Sequence, residues 1–125
     1  MNDRITRTPL LHRVDVAQIG PSSYVVAVGG DVDGDGAGDV MDALYPLAAD
    51  EGARVVVDLV GVTIVDAALV GVLTGGAHLL RASGGEIVLV TRDPRARRLF
   101  NETGFADIAR IESSLVGALA GGHEA

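Results

Sequence analysis

Carboxylates crowd the stretch Asp31-Val32-Asp33-Gly34-Asp35-Gly36-Ala37-Gly38-Asp39-Val40-Met41-Asp42. Asp31, Asp33, Asp35, Asp39 and Asp42 take positions 1, 3, 5, 9 and 12 of this twelve-residue stretch, with Gly36 at the sixth. That is close to the spacing by which hard oxygen ligands wrap a calcium ion. Two features depart from it: Gly38 stands where an apolar anchor is usual, and Asp42 is shorter than the Glu that ligates through both oxygens. The chain before it reads as a strand rather than a helix. Two readings follow, a calcium- or ligand-binding loop, or a solvated acidic segment whose later carboxylates favour a helix N-terminus through the dipole.

A second group of charges is basic. Arg92, Arg95, Arg97 and Arg98 cluster where a helix should begin, on a chain of net charge −7. They read either as a solvated face or as a patch that steers an acidic partner. The remaining chemistry is defined by what is missing. There is no Cys, and all ten basic residues are Arg, so thiol nucleophiles, Schiff-base lysines and the phosphate lysine of a P-loop are excluded. His12, His78 and His123 are dispersed without metal-ligand spacing, and no Ser-His-Asp or paired-glutamate arrangement can be assembled. The expectation is a protein that is not an enzyme and carries no cofactor. Its acidity disfavours nucleic acid, whose binding rests on neutralising phosphates.

Certain elements must position these groups. With 125 residues and 48% hydrophobic content, the chain is sized for one domain with one core. Residues 1–8 are expected to be loosely ordered, 9–121 to form the domain and 122–125 to be a tail. Leu10–Ile19 and Tyr24–Val28 read as a hairpin about Pro21-Ser22-Ser23. A helix follows over 37–50, with Pro46 expected to kink or divide it. Val55-Val56-Val57-Asp58-Leu59-Val60 is a β-branched run typical of a buried strand, predicted over 54–60. A helix over 66–82 begins at Asp66, whose side chain can cap unpaired N–H groups. Strand 86–91, a helix from Pro94 to Thr103 ended by Gly104, strand 107–111 and helix 113–120 complete an α/β order of ββαβαβαβα. The predicted core holds Val26, Val28, Val55, Val57, Leu59, Ile87 and Leu89. Gly71, Gly75 and Gly76 lie inside the helix at 66–82, each costing about 1 kcal/mol against Ala. Close packing of the helix backbone is the expected offset, a smooth face for a partner the alternative. Asp58, Asp66 and Arg81 interrupt the most apolar region, so no membrane span is expected, and the first residues do not read as a secretory signal, which makes the cytoplasm the expected location.

The segment Val55–Leu73 resembles the STAS family, the fold of bacterial anti-sigma-factor antagonists. The family motif there is roughly D-L-S-x-V-x-x-x-D-S-[ST]-G-L-G-x-L, and this chain keeps Asp58, Leu59, Val62, Asp66, Gly71 and Leu73. Gly30-Asp31-Val32-Asp33 and Thr103-Gly104-Phe105 match two further landmarks, G-[ED]-[LI]-D and T-G-[LF], in the right order. The resemblance implies a mixed sheet in a single domain that binds protein partners, an anti-sigma factor or a related GHKL-type serine kinase. In the family a Ser or Thr just after the second Asp is phosphorylated, and here Ala67, Ala68 and Leu69 replace the two hydroxyls and the following Gly. The resemblance therefore implies an antagonist fixed in an unphosphorylated-like state, or a degenerate scaffold in a larger complex if Leu69 spoils the docking surface. Asp33 and Asp66 fall at the family's acidic positions near the acceptor. Asp66, Ala67, Ala68, Leu69, Asp33, Thr63, Arg95 and Arg98 are accordingly the candidate partner contacts. Thr63 is either a substitute acceptor or the ordinary residue between strand and helix.

Overall fold

The computed structural model describes residues 12–121, so the loose N-terminus predicted over 1–8, the tail at 122–125 and His123 lie outside the described residues. Strands β1 (His12–Gly20) and β2 (Ser23–Asp31) form the expected antiparallel hairpin. Helix α1 (Gly34–Leu44) and a 3-10 turn (Tyr45–Ala49) lead to β3 (Arg54–Ile64) and helix α2 (Ala67–Ala82). Then come β4 (Glu86–Val90), α3 (Pro94–Glu102), a second 3-10 turn (Phe105–Asp107), β5 (Arg110–Glu112) and α4 (Leu115–Gly121). The sheet runs β1-β2-β3-β4-β5, with parallel pairing from β2 onward.

Several predicted boundaries move, including the end of β2 at Asp31 rather than 28, and three of them have a clear local reason. The first helix begins at Gly34 rather than 37, because the Asp33 carboxylate accepts the Gly36 N–H at 3.0 Å and so starts the helix inside the glycine-rich run. Pro46 does divide that segment, and the remainder becomes the 3-10 turn. The third strand continues to Ile64 rather than stopping at 60, since β2 pairs with it across an irregularity as far as Asp31↔Ile64. The short last strand falls at 110–112 because the Phe105–Asp107 turn, entered through Gly104 at φ +82°, occupies its predicted start.

Alternation along the strands divides the molecule into two apolar layers. Val26, Val28, Val55, Val57, Leu59, Ile87 and Leu89 are all buried as predicted, against Val40 and Leu44 of α1, Leu69, Leu73, Ala77 and Leu80 of α2, and Ala96 and Phe100 of α3. On the opposite face Val56, Val88 and Val90 are covered by Ala118 of α4. The guanidinium of Arg54 donates to the Ala118 carbonyl at 2.6 Å and Arg110 to the same oxygen at 3.2 Å, tying the short α4 down at its C-terminal end. The glycines of α2 separate by role. Tyr45 donates its hydroxyl to the Val72 carbonyl at 2.9 Å, its ring lying against α2. A Cβ at Gly75 would collide with that hydroxyl, and one at Gly76 with Leu44. Packing therefore explains Gly75 and Gly76.

Candidate functional site: the edge where three helices begin

The carboxyl ends of β2, β3 and β4 each feed a helix, and each helix is capped by an aspartate. Asp33 accepts from the Gly36 N–H at 3.0 Å, Asp66 from the Leu69 N–H at 3.0 Å, and Asp93 from the Arg95 N–H at 2.9 Å. Asp31 and Ile64 are register partners, and each is followed two residues later by a cap, so Asp33 and Asp66 stand side by side at one end of neighbouring strands. Ligands and partners of open α/β sheets favour this end of the strands. The hydrogen bond from Gly36, helped by the Asp35 N–H and the nearby His12 ring, holds the Asp33 carboxyl below its ordinary value of 3.8 against a smaller opposing desolvation.

Several predicted site residues come together here. Ala67 and Ala68 are exposed at the start of α2. Thr63 donates its hydroxyl to Asp31, bridging the ends of β2 and β3. Thr63 and Arg95, with Ile64, Val65, Asp93 and Ala96, line one depression of about 200 Å³ between the end of β3 and the start of α3. Arg95 is 85% exposed, and its Nε lies 3.6 Å from Asp93. Arg92 and Arg98 are exposed but do not line that depression, while Arg97 donates to the Ile111 carbonyl at 3.2 Å and serves the α3–β5 junction.

Two expectations are corrected. Leu69 is not surface: it is completely buried, in the core beneath α2, so it cannot obstruct a docking face. The stretch 31–42 is not a twelve-residue cation loop. Asp31 ends a strand, Asp33 is spent on a cap, and Asp35, Asp39 and Asp42 are distributed along helix α1. Among the described residues no group of three or more His, Cys, Asp or Glu is placed to hold a metal ion. Helical geometry strings Asp35, Asp39 and Asp42 along one face of α1 at about 1.5 Å of rise per residue, whereas a calcium loop must fold back around its ligand. Asp39 instead meets the Nε2 of His12 at 2.6 Å.

Two exposed features complete this edge, Ile64, which the sequence did not single out, and Gly71, for which it left close packing and a smooth partner face as alternatives. Ile64 is 63% exposed, and it lies beyond the predicted end of its strand, where alternation no longer assigned it a face. Gly71 faces solvent on the second turn of α2, and a Cβ there would meet nothing within 4 Å. Unlike Gly75 and Gly76, its helix cost has no packing reason within the domain. The exposed residues at this edge are Ile64, Ala67, Ala68 and Gly71, with Asp31, Asp33 and Arg95 exposed at the ends of the neighbouring elements, and all four but Ile64 are small.

Residues 16–117 match the family described as "Mlab, STAS domain". The anti-sigma-B factor antagonist of Listeria monocytogenes is 34% identical over 88 residues, covering 70% of this chain and 77% of that one. Among solved structures, an anti-sigma factor antagonist from Mycobacterium paratuberculosis superposes with a TM-score of 0.79 at 24% identity, covering 90% of this chain and 95% of that one. The Bacillus cell fate determinant SpoIIAA in its phosphorylated form gives 0.72 at 14% identity, covering 89% and 100%. No helix among the described residues is long and apolar enough to cross a membrane. The matched span runs from within β1 through the capped turn at Asp66 to the start of α4, and the chain belongs to the STAS domain family.

Proposed function

We propose that this chain is a regulatory protein-binding domain that engages an anti-sigma factor, acting as an antagonist of it, in the cytoplasm. It does so through the edge formed by Ile64, Ala67, Ala68 and Gly71. The observation that carries this reading is the pairing of kinship with shape. A relative that shares about a third of its residues over 88 positions is an anti-sigma-B factor antagonist, and the corresponding turn here is fully built. Asp66 caps α2 as the fold requires, while the residues next to it present small, exposed side chains that let a partner's backbone approach.

Ala67 and Ala68 carry no atom that can accept phosphate. The family's switch at this turn is therefore absent, and the chain stays in the binding-competent form as far as these two positions are concerned. Buried Leu69 leaves that surface open, which favours a working antagonist over a scaffold that has lost its partner. A GHKL-type serine kinase could serve as the anti-sigma factor, docking here without modifying residues 67–68. Asp33, Asp66, Arg95 and Arg98 supply charges around the apolar patch, which fix orientation and association rate more than affinity.

The test is direct titration with the anti-sigma factor expressed in the same cell, followed by calorimetry. The expected result is a one-to-one complex of the unmodified chain. Addition of ATP should give no phosphate at 67–69, whereas Ala68→Ser restores an acceptor on an otherwise unchanged turn. Failure of the unmodified chain to bind any anti-sigma factor of its cell would overturn the reading.

A further inference from the structure

We propose that the open edge of β1 and the acidic flank of α1 form a second docking site, which takes an extended basic segment of a partner protein as an added strand. The site is separate from the surface at the start of α2 and does not depend on it. The sheet has two edges, and they are finished differently. β5 is three residues long, too short to template a neighbour. β1 is nine residues long, and among the described residues β2 alone pairs with it. Its pairing is regular over His12–Gln18, and the register shifts only between Gln18 and Gly20. The strand carries neither Pro nor Lys, the usual guards of an exposed edge, and its two opposite charges, Arg13 and Asp15, cancel. Backbone groups on the outward side of this stretch are therefore available to another strand.

A groove of about 520 Å³ runs beside that edge, between β1 and α1. Val14 and Ala43 give it an apolar floor. Val16, two residues on and so on the same face of the strand, is 46% exposed. Asp39 and Asp42 stand on the helical side, and Asp39 is 59% exposed although it meets His12. A strand laid about 4.8 Å outside β1 turns alternate side chains toward this side of the sheet. There its basic side chains reach Asp39 and Asp42, and its apolar ones cover Val16. The other set passes Arg13 and Asp15, whose opposite signs select register rather than net charge. Main-chain hydrogen bonds supply affinity, and the alternation of basic and apolar side chains supplies the choice of partner. The net charge of −7 attracts such a segment and repels an acidic one. Because α1 packs against both β1 and α2, it stands between this groove and the start of α2, and both surfaces can be occupied together.

The experiment titrates the full chain with a blocked peptide of about eight alternating Arg and Val residues, long enough to lie along His12–Gln18. Binding is read residue by residue from amide hydrogen exchange and chemical shifts. The proposal expects slowed exchange at alternate residues of β1, with the start of α2 unmoved. The same peptide N-methylated at alternate positions, which cannot pair as a strand, should not bind, nor should one with Glu in place of Arg. Asp39→Asn combined with Asp42→Asn should weaken the probe by about five- to tenfold, the scale of two exposed ion pairs. Asp42→Asn alone, at a residue with no hydrogen bond or ion pair among the described residues, gives the same direction without touching the His12 contact. Equal binding of the methylated probe would reduce the effect to charge attraction and overturn the proposal, as would no binding at all or shifts centred on α2. Binding that appears only when Arg4→Glu and Arg7→Glu are introduced would make the chain's own first residues the occupant. Self-association that protects β1 without any peptide would make it a second copy. Either result also overturns the proposal.

Discussion

Helices α1 and α2 begin at the same edge, under aspartates that accept the N–H three residues on at the same 3.0 Å, yet their first turns are built for opposite purposes. The α1 start is closed. Gly36 is buried, and a Cβ on it would sit 3.0 Å from Val32 and 3.2 Å from the His12 ring. His12 in turn reaches Asp39 one turn further on, so β1 clamps this helix from the side. The α2 start is open. Ala67, Ala68 and Gly71 face solvent, while Leu69 and Val70 are buried. One cap motif can therefore anchor a helix against its own domain or present it to another. The residues at the following positions decide which.

Substitutions at matched positions should separate the two. The largest effect is expected at Leu69→Ala, which empties a fully buried site and should lower unfolding free energy by about 2–5 kcal/mol in denaturant titration. Gly36→Val should come next at about 1–3 kcal/mol, because the added methyls must displace Val32 or His12. Asp66→Ala removes a cap and should cost about 1 kcal/mol. Gly71→Ala should act in the other direction, raising stability by up to about 1 kcal/mol, since the new Cβ meets nothing and the helix gains propensity. A glycine that stabilises the fold when replaced, but weakens partner binding when replaced by Leu, would be an interface glycine.

Protonation bears on the closed start of α1 as well. The folded-state pKa of Asp33 is depressed, so its contribution is present above the ordinary value of 3.8 and is lost as pH falls through the lower folded value. An acid titration followed by circular dichroism should show Asp33→Asn less sensitive than the unaltered chain in the range just below 3.8. Tyr24 runs oppositely. Its hydroxyl donates to Asp50 at 2.7 Å, which raises its pKa above 10.0, and that contribution is lost as pH climbs through the raised value.

How much of this was written in the sequence varies with the physics of each element. The strand at Val55–Leu59 and the caps at Asp66 and Asp93-Pro94 were legible because local chemistry alone specifies them: β-branched runs, a side-chain acceptor and a fixed φ. The helix over Gly34–Leu44 was obscured, since its glycine-rich start imitates a loop until one sees Asp33 capping and the packing on His12 that only Gly36 permits. The site was half legible. The absence of hydroxyls at Ala67 and Ala68 is a fact of composition, whereas the burial of Leu69, the exposure of Ile64 and the divergence between Gly71 and Gly75 depend on what the tertiary fold sets beside each helix face. Periodicity assigns faces but does not say which neighbour will cover them.

The central claim, that the open start of α2 is the docking surface and the closed start of α1 is not, is tested most directly by carrying one charge to each. Ala68→Asp and Gly38→Asp both place a carboxylate on an exposed or half-exposed helix position with room for it, and Asp near a helix N-terminus is tolerated at the first. Affinity for the anti-sigma factor would be measured for both by calorimetry, with thermal unfolding as the control for folding. The account predicts that Ala68→Asp weakens binding about tenfold or more at nearly unchanged stability, the ordinary scale for a charge forced into an interface, and that Gly38→Asp leaves binding as it was. Equal affinity for Ala68→Asp and the unaltered chain would contradict it and move the interface away from α2.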